Sequence, residues 1–117
     1  MNKTYTGSCH CQAVRFSAQI ELKDVMSCNC SICSRAGWLL SFIPATSFKL
    51  ESGKDQLTDY QFGKKDLHHP FCKHCGMHTF SHGVGPDGVE TYAINARCLE
   101  DIDLKPLTIT EFDGKSR

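Results

Sequence analysis

Apolar and polar residues alternate from Gln12 to Ile20. Val14, Phe16, Ala18 and Ile20 fall on one face, and Arg15, Ser17 and Gln19 on the other. That period of two predicts a half-buried strand. Trp38-Leu39-Leu40-Ser41-Phe42-Ile43 is a more continuous apolar run, too short for a comfortable helix and stopped by Pro44, and it predicts a more fully buried strand. Phe48-Lys49-Leu50 and Tyr60-Gln61-Phe62 alternate again. Met77 to His82 and Val89 to Asn95 are separated by Gly83-Val84-Gly85-Pro86-Asp87-Gly88, which predicts a hairpin with a longer loop. Leu107 to Phe112 supplies a last strand, and Ser31 to Ala36 is the one place where a helical turn is expected. No long helical period, repeat or linker interrupts this pattern. The expected architecture is therefore one small, mainly β domain over residues 1–117, built from short antiparallel sheets.

Charge and composition narrow the function classes. Thirteen Lys and Arg balance thirteen Asp and Glu, so no global positive field recruits nucleic acid or an acidic membrane surface. No stretch approaches the roughly 20 apolar residues that cross a bilayer. The start, Met1-Asn2-Lys3-Thr4-Tyr5-Thr6-Gly7-Ser8, is polar and carries no apolar export core, which favours a cytoplasmic protein.

Eight cysteines in 117 residues demand a chemical explanation. They fall as Cys9-x-Cys11, Cys28-x-Cys30-x-x-Cys33 and Cys72-x-x-Cys75, with Cys98 single. A disulfide framework favours partners spread along the chain, whereas gaps of one and two residues gather sulfurs around a point, as a metal requires. The spacing also leaves disulfide pairing and a redox Cys-x-x-Cys open. Ligand counting divides the thiols. Cys9, Cys11, Cys72 and Cys75 make one closed set of four, the structural zinc count. Cys28, Cys30 and Cys33 make a set of three, the count at which a fourth position receives an exogenous ligand. Completion of the triplet by Cys98 or a histidine is the alternative, with both zincs inert.

Gly7-Ser8-Cys9-His10-Cys11, Cys28-Asn29-Cys30-Ser31-Ile32-Cys33 and Phe71-Cys72-Lys73-His74-Cys75-Gly76 resemble, in order and spacing, the motifs of the glutathione-dependent formaldehyde-activating enzyme and centromere protein V family. Val14-Arg15-Phe16 and Asn95-Ala96-Arg97-Cys98-Leu99 extend the resemblance over nearly the whole chain. It implies a β-tent fold with two zinc ions per chain. The structural zinc would sit on Cys9, Cys11, Cys72 and Cys75, and a catalytic-type zinc on Cys28, Cys30 and Cys33. It also implies glutathione and formaldehyde as the small-molecule thiol and aldehyde. One departure is Gln12, where family members commonly carry Gly after the Cys-His-Cys.

A zinc held by three thiolates lowers the pKa of a fourth thiol, and addition of that thiolate to an aldehyde, or the reverse, is carbon-sulfur lyase chemistry. One proton carrier completes it, and His is the default. His78 and His82, two apart on a predicted strand, share a face and are the candidates, with a structural role as the alternative. His10 and His74, between the cysteines of the closed set, are expected to point away from the metal, and His68-His69 to lie in a loop before Pro70. Trp38 is expected in the core, with stacking on a ligand as the alternative. Arg35 and Arg97 are expected at the surface, with a carboxylate of a peptide thiol as the alternative partner. The competing functions are a non-catalytic zinc-stabilised binding module and a thiol redox or metal-buffering protein.

Overall fold

A computed structural model describes residues 3–85 and 87–116. Met1 and Asn2 of the polar start and Pro86 of the predicted hairpin loop lie outside the described residues. Ten strands are formed among them: β1 (Lys3–Ser8), β2 (Arg15–Ile20), β3 (Asp24–Cys28), β4 (Leu40–Pro44), β5 (Phe48–Ser52), β6 (Leu57–Tyr60), β7 (Leu67–Cys72), β8 (Phe80–Val84), β9 (Glu90–Asn95) and β10 (Thr108–Phe112). One short helix, α1 (Cys33–Ala36), occupies the predicted helical turn and ends at Gly37, whose left-handed backbone (φ 68°) lets its N–H return to the Cys33 carbonyl. The protein is mainly β, as the alternation predicts, and no helix among the described residues is long and apolar enough to cross a membrane.

A three-stranded sheet, order β1-β2-β5, packs beside a seven-stranded sheet, order β10-β3-β4-β9-β8-β7-β6. The predicted inward face is buried throughout: Phe16, Ala18 and Ile20 of β2, with Val14 just ahead of the strand, are each at most 2% exposed. Phe16 stacks on Phe48 and meets Phe80 edge-on, so three strands share one aromatic core with Ile94 and Val25. β4 departs from expectation. Trp38 and Leu39 are buried but precede the strand, and Phe42 stands 52% exposed although Leu40, on the same face, is buried, because that face of β4 opens into a cleft at Phe42.

Three elements escape the pattern. β1 is polar and forms by pairing residue for residue with β2, Lys3 against Ile20 through Ser8 against Arg15. β7 contains Pro70, which hides it as a strand. Pro70 lies beyond the two residue pairs that β7 makes with β8, so its missing N–H breaks no ladder there. β10 pairs with β3 in parallel, the exception in an otherwise antiparallel fold.

The turn after β1 places Gln12 at φ 68°, in the left-handed region that favours glycine. The Gln12 side chain makes only an exposed contact with Arg15. Gln12→Gly is therefore expected to stabilise the fold by about 0.5–1 kcal/mol, the left-handed penalty less the extra chain entropy of glycine. Thermal denaturation followed by circular dichroism checks the sign.

Candidate metal centres

Two turns assemble the first sulfur cluster. The turn joining β1 to β2 is held by Cys9 N–H on the Val14 carbonyl and Gln12 N–H on the Cys9 carbonyl. The turn after β7 is closed by Gly76 N–H on the Cys72 carbonyl. The donor sulfurs of Cys9, Cys11, Cys72 and Cys75 lie within 4.8 Å of one another. Cys11 Sγ is 3.7 Å from Cys9 Sγ and 3.6 Å from Cys72 Sγ. These separations far exceed a disulfide bond of about 2.05 Å, and all eight cysteines are free thiols. They match the sulfur-sulfur edge of about 3.8 Å that follows from zinc-sulfur bonds of about 2.3 Å in a tetrahedron.

Backbone amides point at these sulfurs. Val14 N–H donates to Cys9 Sγ at 3.3 Å. Burial resists ionisation of Cys75, but N–H groups of Cys11 and Met77 overcome it and bring the thiol down to about 6. Cys11 goes the other way: the Ala13 N–H favours its thiolate, yet burial and the neighbouring sulfurs push it up to about 11. Four thiolates so close repel one another, and a divalent cation resolves that repulsion. The residues therefore fit zinc.

The second cluster is local in sequence. Cys28 ends β3, Cys33 opens α1, and the Cys28, Cys30 and Cys33 sulfurs again lie within 4.8 Å of one another. Burial pushes the Cys33 thiol up to about 12, with the Cys30 sulfur adding to the effect and the Trp38 indole opposing it. That indole N–H is buried with no other acceptor, and it favours the Cys33 thiolate. The donor set and the orphaned N–H both fit a three-sulfur metal site.

Chain remote in sequence clasps the triplet. Asn29 N–H donates to the Phe112 carbonyl, Asn29 Nδ2 to Asp113 Oδ1 at 2.9 Å, and Lys115 N–H to Asn29 Oδ1 at 2.9 Å. Gly114 then passes so close that a Cβ there would stand 2.6 Å from Cys28 Sγ. Sequence reasoning missed this clasp, since no local pattern marks Asn29, Asp113 and Gly114 as partners.

The triplet forms part of the wall of a cleft of about 400 Å³, together with Trp38, Phe42, Phe62, His69 and His82. His69, expected in a loop, is instead 4% exposed within β7. Its ring lies between Trp38 and Phe62, with interplanar angles of 12° and 24°. Its Nδ1–H donates to the Tyr60 carbonyl at 3.0 Å, which leaves the lone pair of the neutral ring on Nε2.

The two predicted histidines separate. His82 is in β8 and lines this cleft, with Nδ1 3.2 Å from Glu90 Oε2. His78 precedes the strand, and burial lowers its pKa. It lines a neighbouring cleft of about 450 Å³ with Arg35, Tyr60 and Phe62. Arg35 is exposed there, one of its guanidinium N–H groups bonded to the Ser31 carbonyl. Arg97 is exposed, His10 is exposed, and His74 bonds to Gln56. Cys98 does not join the triplet. Its thiol donates to the His78 carbonyl and is pushed up to about 11 by burial, and the sulfurs that act on it are Cys9 and Cys75 of the other cluster.

The sequence model described as glutathione-dependent formaldehyde-activating enzyme matches residues 4–111. The crystal structure of a Rhodobacter sphaeroides protein is similar with a TM-score of 0.78 and 29% sequence identity, over 90% of this chain and 99% of that one.

Proposed function

The chain belongs to the glutathione-dependent formaldehyde-activating enzyme family, and from that premise we propose that it is a zinc-dependent carbon-sulfur lyase that joins or separates a small thiol and an aldehyde. Membership supports a glutathione-dependent, formaldehyde-related function. The observation that carries the finer reading is the contrast between the clusters. Four sulfurs make a complete tetrahedral set, whereas three sulfurs, one short of that count, share the wall of an open cleft. In this reading residues 1–117 act as one zinc-binding domain, working in the cytoplasm, where thiols stay reduced.

Cys9, Cys11, Cys72 and Cys75 would hold a structural zinc, and Cys28, Cys30 and Cys33 a second one that supplies, when bound, an open position where a substrate thiol ionises and a carbonyl is polarised. The chain's own residues do the rest. The apolar cleft wall shields the reacting carbon on one side. His69 Nε2 takes the thiol proton, and its fixed Nδ1–H bond to Tyr60 keeps that nitrogen available. The sulfur bonds to the carbonyl carbon as the carbonyl π pair moves to oxygen, and the proton returns to that oxygen. The product is a hemithioacetal, and nothing is oxidised or reduced. Cleavage runs the same path backwards.

Exchange among glutathione, formaldehyde and their adduct, measured by nuclear magnetic resonance exchange spectroscopy, should exceed the spontaneous rate. Cys30→Ser should return it to background. His69→Gln should slow it about 100-fold or more, the usual worth of a positioned proton carrier. Rates identical with and without protein would favour the non-catalytic zinc-stabilised binding module.

A further inference from the structure

The cleft beside the triplet is chemically one-sided. None of the described residues lining it is Lys, Arg, Asp or Glu. Met26, Leu40, Phe42, Phe62, Leu67 and Phe112 dominate its surface, and three of these, Phe42, Phe62 and Leu67, are exposed to solvent. Away from the cysteine triplet, a carboxylate or ammonium lodged here would lose its hydration without gaining an ionic partner. The neighbouring cleft differs: it carries Arg35, and it adjoins the first along Ile32 and Phe62, which line both.

A reaction between a thiol and an aldehyde needs room for two organic groups. A peptide thiol such as glutathione brings carboxylates, and the cleft with the guanidinium is where they find a partner. Beyond the thiol at the triplet, the rest of this largely apolar cleft of about 400 Å³ is left for whatever the carbonyl carbon bears, more than the hydrogens of formaldehyde fill. Empty apolar surface of this kind gains from being covered by a ligand group of matching chemistry.

We propose that the carbonyl partner of this protein carries an uncharged aromatic or branched alkyl substituent that fills the cleft, making a bulky apolar aldehyde its preferred substrate over formaldehyde. The inference rests on the lyase reading for its chemistry, but the cleft's selectivity can be read without turnover. Trp38, the only tryptophan, lies in the cleft wall, so its fluorescence reports occupancy.

The test has a binding arm and a rate arm, both on the zinc-loaded protein. In the first, 2-phenylethanol, an unreactive analogue, should shift Trp38 emission saturably, and acetate should not. Phe42→Asp, a change at an exposed position, should weaken that response about tenfold. In the second, phenylacetaldehyde with glutathione should exchange with a kcat/KM at least about tenfold above formaldehyde with glutathione, and Phe42→Asp should erase that preference. Benzyl mercaptan with formaldehyde distinguishes the alternative source of the apolar group, and its preference over both other pairs would overturn the assignment to the aldehyde. Equal or better use of formaldehyde, with no response to 2-phenylethanol, overturns the inference while leaving the lyase reading standing. Saturable 2-phenylethanol binding without catalysed exchange of any pair sinks the lyase reading and, with it, the aldehyde as occupant. Dimerisation in sedimentation that Phe42→Asp abolishes, again with no response to 2-phenylethanol, would overturn the inference by giving the cleft to a second copy of the chain.

Discussion

Cys72→Ala is expected to leave a largely unfolded chain, while Cys28→Ala leaves a folded one. Cys72 is fully buried at the end of β7, and its sulfur lies against Cys11, 61 residues away in sequence. The closed cluster therefore ties the β1-β2 turn to the far side of the seven-stranded sheet, and Val14, Leu50 and Leu57 pack around it. Structural zinc sites of this composition contribute on the order of 10 kcal/mol, about the whole stability of a domain this size. Cys28 sits in a cluster spanning six residues, so its loss loosens one loop and leaves the sheets paired. Far-ultraviolet circular dichroism and thermal melts separate the outcomes. Equal destabilisation of the two variants would show that both clusters hold the fold.

Gly114→Val should keep the triplet from holding the zinc proposed for it, without unfolding the protein. Its added Cβ would stand 2.6 Å from Cys28 Sγ and 3.2 Å from Cys30 Cβ, too close for either to keep its place. The tail carrying Gly114 follows the last residue of β10 and is otherwise exposed, so it can swing away. Release of the clasp would free Asn29 and let the three sulfurs spread. Zinc content by elemental analysis should fall from two equivalents toward one, with the melting temperature lowered only modestly. Two equivalents retained at full affinity would show that the clasp is not needed for the site.

The sequence made some of this legible and hid the rest for physical reasons. β2 was readable because it buries one face, and an alternating pattern is what a half-buried strand writes into a chain. The grouping of the cysteines was readable because each pair and the triplet are local on short spacers, and counting to four joined the two distant pairs. β1 was not, because its partner β2 supplies the burial and its own residues remain polar. β7 was masked by Pro70, and with it the placement of His69, whose importance depends on Trp38 and Phe62 from distant segments. The pairing of Asn29 with Asp113 spans 84 residues and has no short-range signature.

The two clusters also differ in when they can form. Cys28, Cys30 and Cys33 are joined by so little chain that loop closure scarcely opposes their meeting before any sheet exists. Cys11 meets Cys72 only after 61 residues have been organised, and the cost of that closure must be met before its contacts reward it. Refolding in abundant zinc should therefore load the short cluster first, and any Cys9-Cys11 or Cys72-Cys75 pair captured by a stray ion would have to let go before folding proceeds. The chain's folding rate would then depend on metal concentration in two opposite senses, rising while the long-range cluster lacks its ion and falling once each half has found one of its own.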